Sequence, residues 1–116
     1  MPIYFRVESA KEYDIPGYYI IYANNGVKSI AEMPVEQLTE FAKIVQETQL
    51  KIQQTINPEK IYCLSFCEVL TDFHLHLFPR TKAMAQAFLK HEGLTMDSAI
   101  DGAKLFGFVR ALTQIT

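Results

Sequence analysis

Between Pro34 and Gln54 the apolar residues change their rhythm, and that change constrains the fold more than any other feature of the chain. Val35, Leu38, Phe41, Ala42, Val45 and Ile52 recur at three to four residue spacing, with Glu36, Glu40, Lys43, Glu47 and Lys51 between them. This is the pattern of an amphipathic helix of about 20 residues. Pro34 suits its first turn, although Met33 is a poor cap, and Asn57-Pro58 forbids continuation past its end. A helix with one apolar stripe must bury that stripe, so the flanking segments have to offer a matching face. Leu38, Phe41 and Val45 are expected to lie against it.

Those flanks read as strands. Ile3 to Val7 is the first. Ile15-Pro16-Gly17 signals a turn into Tyr18 to Tyr22, a β-branched and aromatic run closed by Ala23-Asn24-Asn25-Gly26. Ile61 to Phe66 and Phe73 to Phe78 supply two more strands. Beyond Arg80, Ala83, Met84, Ala87 and Phe88 suggest a short helix, and Leu105, Phe106, Val109 and Leu112 a final one. The expected class is α+β, an antiparallel sheet of about four or five strands with the Pro34 to Gln54 helix packed on one face.

The chain has 116 residues, enough for a single domain over 1–116 that buries roughly two thirds of the surface its unfolded form exposes. It needs no metal or disulfide staple. Hydrophobic residues make up 49% and charged residues 21%, and no apolar run approaches the roughly 20 residues of a membrane span. Disorder and membrane insertion are therefore not expected. MPIYFRVESAKEYD lacks a basic stretch followed by an apolar one, so the expected compartment is the cytoplasm. Cys63 and Cys67 stand four apart on one strand-like segment, where a disulfide between them is geometrically implausible, and are expected to be buried thiols. A net charge of -2 without a Lys/Arg cluster argues against a nucleic-acid surface. An anionic ligand would have to be held by local groups.

Chemistry concentrates in TDFHLHLFPR, residues 71–80. Strand alternation puts Phe73, Leu75 and Leu77 on one face and Asp72, His74, His76 and Phe78 on the other. Three readings of the histidines stand side by side. They could be polar residues on the solvent face of a half-buried strand. They could chelate a metal, which needs a third and usually a fourth ligand, and Cys63, Cys67 and His91 are poor candidates. Or they could act on phosphate, one imidazole as nucleophile and its neighbour as hydrogen-bond donor or acid, at a Cα spacing of about 6 to 7 Å.

The run Asp72-Phe73-His74-Leu75-His76-Leu77-Phe78-Pro79-Arg80 resembles the signature strand of the histidine triad (HIT) superfamily. There, three histidines alternate with apolar residues and Pro-Arg often follows. IPGYYIIY, SIAEM, the long PVEQLTEFAKIVQETQLKIQQ segment, NPEKIYCLSFCEVL and DGAKLFGFV follow the order of short bacterial HIT-like proteins, so the resemblance spans about Phe5 to Val109. It implies a HIT-like fold, usually paired as a homodimer, and a nucleotide or nucleoside-phosphate ligand, with no cofactor and no metal. The family nucleophile falls on His74, which would form a nucleotidyl-histidine from a dinucleoside polyphosphate or phosphoramidate. The last motif histidine falls on His76. Arg80 and Lys82 stand where they could meet phosphate, and Cys67 where relatives often have glycine.

The first motif histidine falls on Asp72. In the family a backbone carbonyl at that position holds the nucleophile's second ring nitrogen, so orientation of His74 is expected to survive the change. Electrostatics is another matter. An ionised carboxylate about 7 Å from a phosphate costs roughly 2 kcal/mol at an effective dielectric near 20, and also favours a protonated His74 that cannot attack. The alternative to a hydrolase or transferase is therefore a nucleotide-binding module with weak turnover.

Overall fold

A computed structural model describes residues 3–10, 15–82, Met84 and Gln86. Four strands, β1 (Phe5–Ser9), β2 (Tyr19–Ala23), β3 (Lys60–Leu64) and β4 (His74–Arg80), form one antiparallel sheet in the order β1-β2-β4-β3. A single long helix, α1 (Val35–Thr55), connects β2 to β3. The architecture is α+β, as the change of period at Pro34 requires. The expected segments Ala83 to Phe88 and Leu105 to Leu112, and His91, lie outside the described residues except for Met84 and Gln86. No helix among the described residues is long and apolar enough to cross a membrane.

Local chemistry fixes each junction. Ile15 to Tyr18 closes a turn, with Tyr18 N–H donating to Ile15 O at 3.1 Å and Gly17 at φ 87° in its third position. A Cβ on Gly17 would stand 2.9 Å from Ile56 Cγ1, so this glycine also lets the turn sit on the end of α1. Pro34 is the N-cap of α1 in extended conformation, one position earlier than expected. At the other end Asn57 adopts φ 51° and donates to Ile52 O at 3.2 Å, a left-handed stop before Pro58. Pro79 occurs within β4, but β2 has already ended at its pairing with Leu77, so the missing N–H faces no second partner strand.

α1 covers one sheet face, where Phe5, Ile21, Ala23, Phe73 and Leu77 meet Met33, Ile44 and Ile52, with Phe41, Val45 and Leu75 partly buried beside them. The helix is rotated from the expected stripe. Its fully packed positions are Gln37, Ile44, Thr48 and Ile52, whereas Val35, Leu38 and Ala42 are exposed, Leu38 by 38%. Two polar side chains reach this face because each is satisfied. Gln37 and Asn25 exchange two amide hydrogen bonds at 2.9 and 3.0 Å, and Thr48 Oγ1 donates to Ile44 O at 2.7 Å. Glu40 does something different: its carboxylate accepts from the backbone N–H groups of Ile3, Tyr4 and Phe5 at 2.9, 2.8 and 3.0 Å. The helix thereby grips the start of edge strand β1.

The opposite sheet face is also buried. Ala10, Ile15, Tyr18, Ile20, Phe78 and Met84 form a second cluster there, with Tyr22, Tyr62, Leu64 and Phe66 packed against it. The cysteines depart from expectation. Cys63 is exposed on the helix side of edge strand β3, accepting from Gln49 Nε2 at 3.4 Å, and Cys67 is half-buried past the end of β3; neither forms a disulfide. Among the described residues β3 has a neighbouring strand, β4, on one side alone, which leaves the thiol of Cys63 exposed.

Candidate active site

β4 presents His74 and His76 to the face opposite α1, as its alternation dictates, and both are fully buried. The reading in which they are solvated surface imidazoles is thereby overturned: the second sheet face is itself a core. Their ring centroids stand 5.0 Å apart at an interplanar angle of 70°. The Nδ1 atom of each ring is engaged. His74 Nδ1–H donates to the backbone carbonyl of Asp72 at 2.9 Å, and His76 Nδ1 lies 2.7 Å from the hydroxyl of Tyr18. The Nε2 atom of each is buried and has no hydrogen-bond partner among the described residues.

That arrangement fixes the proton on His74. Because a carbonyl oxygen can only accept, the Nδ1 of a neutral His74 carries hydrogen and its Nε2 carries a lone pair. Desolvation by burial, reinforced by the neighbouring His74, pushes the pKa of His76 down to about 3, so its ring is neutral across the physiological range. His76 is thus a neutral imidazole rather than a cation.

Further groups surround His74. The ring of Tyr22, its partner across β2, stacks on it with centroids 5.9 Å apart and planes 27° from parallel. Arg6 of β1 lies over the far side of Tyr22, 4.4 Å from the ring centroid, and donates to Asn24 and Glu8. Ser65 Oγ donates to His74 O at 2.9 Å. Cys67 Sγ is 3.7 Å from His74 Nδ1. Cys67 holds φ 54°, a left-handed conformation that costs a side-chain-bearing residue about 1 kcal/mol or more.

Asp72 and Arg80 fall outside this cluster. The strand begins at His74, so Asp72 belongs to the preceding bend. It contributes its backbone carbonyl to the site, while its carboxylate forms an ion pair with Lys28, both side chains being about half exposed. Arg80 shares the histidine face but stands four residues along the strand, where it engages Tyr62 Oη at 3.4 Å and Glu59 at 3.6 Å. Lys82 is exposed. Tyr18, Tyr22 and Lys28 were not singled out from the sequence. Alternation within β2 marks Tyr22 and Ile20 as one face, but only the β2-β4 register brings that face to His74 and His76. Among the described residues no group of three His, Cys, Asp or Glu side chains is arranged to hold a metal ion.

The fold is that of HIT proteins. A member of the HIT family from Bacillus subtilis superposes with a TM-score of 0.62 and 11% sequence identity, covering 100% of this chain and 84% of its own. A Hit-like protein involved in cell-cycle regulation from Bartonella henselae, solved with an unknown ligand, gives a TM-score of 0.58 and 14% identity over 100% of this chain and 83% of its own. No protein-family model matches the sequence, and no curated protein matches it.

Proposed function

We propose that this chain is a nucleotide-binding hydrolase or transferase of the HIT type, acting on nucleoside 5'-phosphate derivatives through a nucleotidyl-histidine on His74. The observation that carries this reading is the pair of buried Nε2 atoms on adjacent imidazoles, without a hydrogen-bond partner among the described residues, one of them a bare lone pair when His74 is neutral. In the first step His74 Nε2 attacks the α-phosphorus and the bond to the leaving oxygen or nitrogen breaks. The leaving group departs with that electron pair and takes a proton from water. In the second step water, or another acceptor in a transferase, attacks the same phosphorus and frees His74.

A homodimer is part of the proposal. Ile30, Val35 and Leu38 leave apolar surface exposed by 48%, 74% and 38% around the start of α1, which supports pairing of two chains there. The ion pair of Asp72 with Lys28 weakens the case for a binding module disabled by that carboxylate.

The test is covalent trapping. Mixing the protein with a dinucleoside polyphosphate or an adenosine phosphoramidate, quenching in alkali and reading the intact mass should show one added nucleotidyl group, absent in His74→Ala. A wild-type protein that binds nucleotide without ever carrying the adduct would reduce the function to binding.

A further inference from the structure

We propose that Tyr18 is a positioning residue that fixes His76 as the tautomer with its proton on Nε2, so that the site pairs a bare nitrogen on His74 with a neutral N–H donor on His76. The proposal deepens the phosphate chemistry above and rests on it for its functional half. Its structural half stands on geometry and on the relative acidities of a phenol and an imidazole.

Tyr18 is the residue that ends the Ile15 to Tyr18 turn, directly before β2, and it is fully buried. Its ring packs on Phe78 with centroids 4.3 Å apart, and its hydroxyl comes within 2.7 Å of His76 Nδ1. Two polarities of that hydrogen bond are conceivable, and acidity chooses between them. A phenol O–H is a stronger acid than the N–H of a neutral imidazole, and a bare imidazole nitrogen is a stronger base than a phenol oxygen. The favoured bond is O–H donating to Nδ1. With Nδ1 acting as acceptor, the ring hydrogen of neutral His76 must sit on Nε2.

The two rings are then set in opposite tautomers by two different backbone and side-chain partners. The Asp72 carbonyl takes the hydrogen of His74 at Nδ1, and the Tyr18 hydroxyl supplies one to His76 at Nδ1. Their Nε2 atoms, without a hydrogen-bond partner among the described residues, are complementary: a lone pair for the phosphorus and a donor for a non-bridging phosphate oxygen. His76 gives a hydrogen bond and keeps its proton, because losing it would leave an imidazolate in a buried site. Tyr18 and His74 are the titratable groups in ring contact with His76 among the described residues. With its pKa pushed down to about 3 by burial, His76 keeps that donor as a neutral ring through the physiological range.

The chain has three histidines, so two-bond nitrogen-proton correlation spectra of the wild-type protein can be assigned with His74→Ala and His76→Gln. His76 should show a protonated Nε2 and a bare Nδ1, and His74 the reverse. A hydrogen on His76 Nδ1 would overturn the proposal without any variant of Tyr18. In Tyr18→Phe, which keeps the ring packing, the His76 signals should shift toward a mixture of tautomers. Turnover should fall roughly 10- to 100-fold in kcat, by analogy with the loss seen when a hydrogen-bond partner of a metal-bound imidazole is removed, with KM changed less than about threefold.

Unchanged His76 signals in Tyr18→Phe would show that the phenol merely packs, and would also overturn the proposal. If the spectra behave as expected and no nucleotide is turned over by the wild type, the tautomer assignment survives and the proposed function fails.

Discussion

Asp72 illustrates how one residue can serve through its backbone while its side chain points elsewhere. Its carbonyl orients His74, and that contact is indifferent to the side chain. Its carboxylate is paired with Lys28 at a half-exposed position. Exposed ion pairs contribute roughly 0 to 1 kcal/mol, and the lysine offsets most of the field that the carboxylate would exert on a phosphate. Asp72→Asn should therefore leave stability within about 1 kcal/mol of wild type and turnover within about fivefold. A thirtyfold rise in rate would show that the unpaired estimate of roughly 2 kcal/mol applies after all. His76 makes a second expectation. Its pKa is depressed to about 3 in the folded protein against about 6.5 unfolded, so above pH 6.5 it adds nothing to the pH dependence. As pH falls from 6.5 toward 3 the unfolded chain binds a proton that the folded one refuses. Stability is lost by up to about 1.4 kcal/mol per pH unit. Urea melts at pH 7, 5 and 4 should show His76→Gln losing less stability over that window than wild type, and parallel losses would show that His76 titrates normally. Strand alternation puts His74 and His76 on one face, and the resemblance to HIT proteins is what singles them out as a site. Tyr18 could not be singled out in this way, because its role depends on a hydroxyl 58 residues away in sequence reaching one ring nitrogen.

At the scale of elements, α1 shows why an apolar stripe read from sequence can be rotated from the face that is actually buried. Hydrophobicity placed Val35, Leu38 and Ala42 inside. The structure instead buries Gln37 and Thr48, whose polar atoms are satisfied by Asn25 and by the helix backbone. A satisfied amide packs as well as an aliphatic chain, and no periodicity of apolar residues can announce it. The consequence is measurable by chemical denaturation. Phe41 packs on Phe5 and Phe73 with ring centroids 5.3 and 5.5 Å away, and Phe41→Ala should cost about 3 kcal/mol. Leu38→Ala should cost less than about 1 kcal/mol. Equal losses would mean that the helix sits in the originally expected orientation. The strands were easier to read, each within one or two residues, because β-branched and aromatic runs bounded by Gly, Pro and Asn leave few alternatives.

For the whole molecule, the class and the sheet-plus-helix layering follow from the sequence, while the burial of the second sheet face does not. Tyr18, Tyr22, Tyr62, His74 and His76 all contribute to that face, and the periodicity of apolar residues does not count their polar atoms as buried. The exposed apolar residues Ile30, Val35 and Leu38 lead to the assembly prediction. Sedimentation equilibrium at tens of micromolar should report a homodimer, and Val35→Asp with Leu38→Asp should shift it toward monomer while leaving the far-UV spectrum intact. A wild-type monomer would remove the pairing from the proposal. Glu40 has a bearing on how the structure opens. The three amides it collects belong to the beginning of a strand whose only sheet neighbour among the described residues is β2, at sequence separations of 35 to 37 residues. Ile3 and Tyr4 precede the ladder and would ordinarily exchange their hydrogens with solvent as a fraying end does. Held by a helix carboxylate, they should instead exchange together with the middle of α1. That makes the first residues of β1 and the long helix one cooperative opening unit despite the distance between them in the chain.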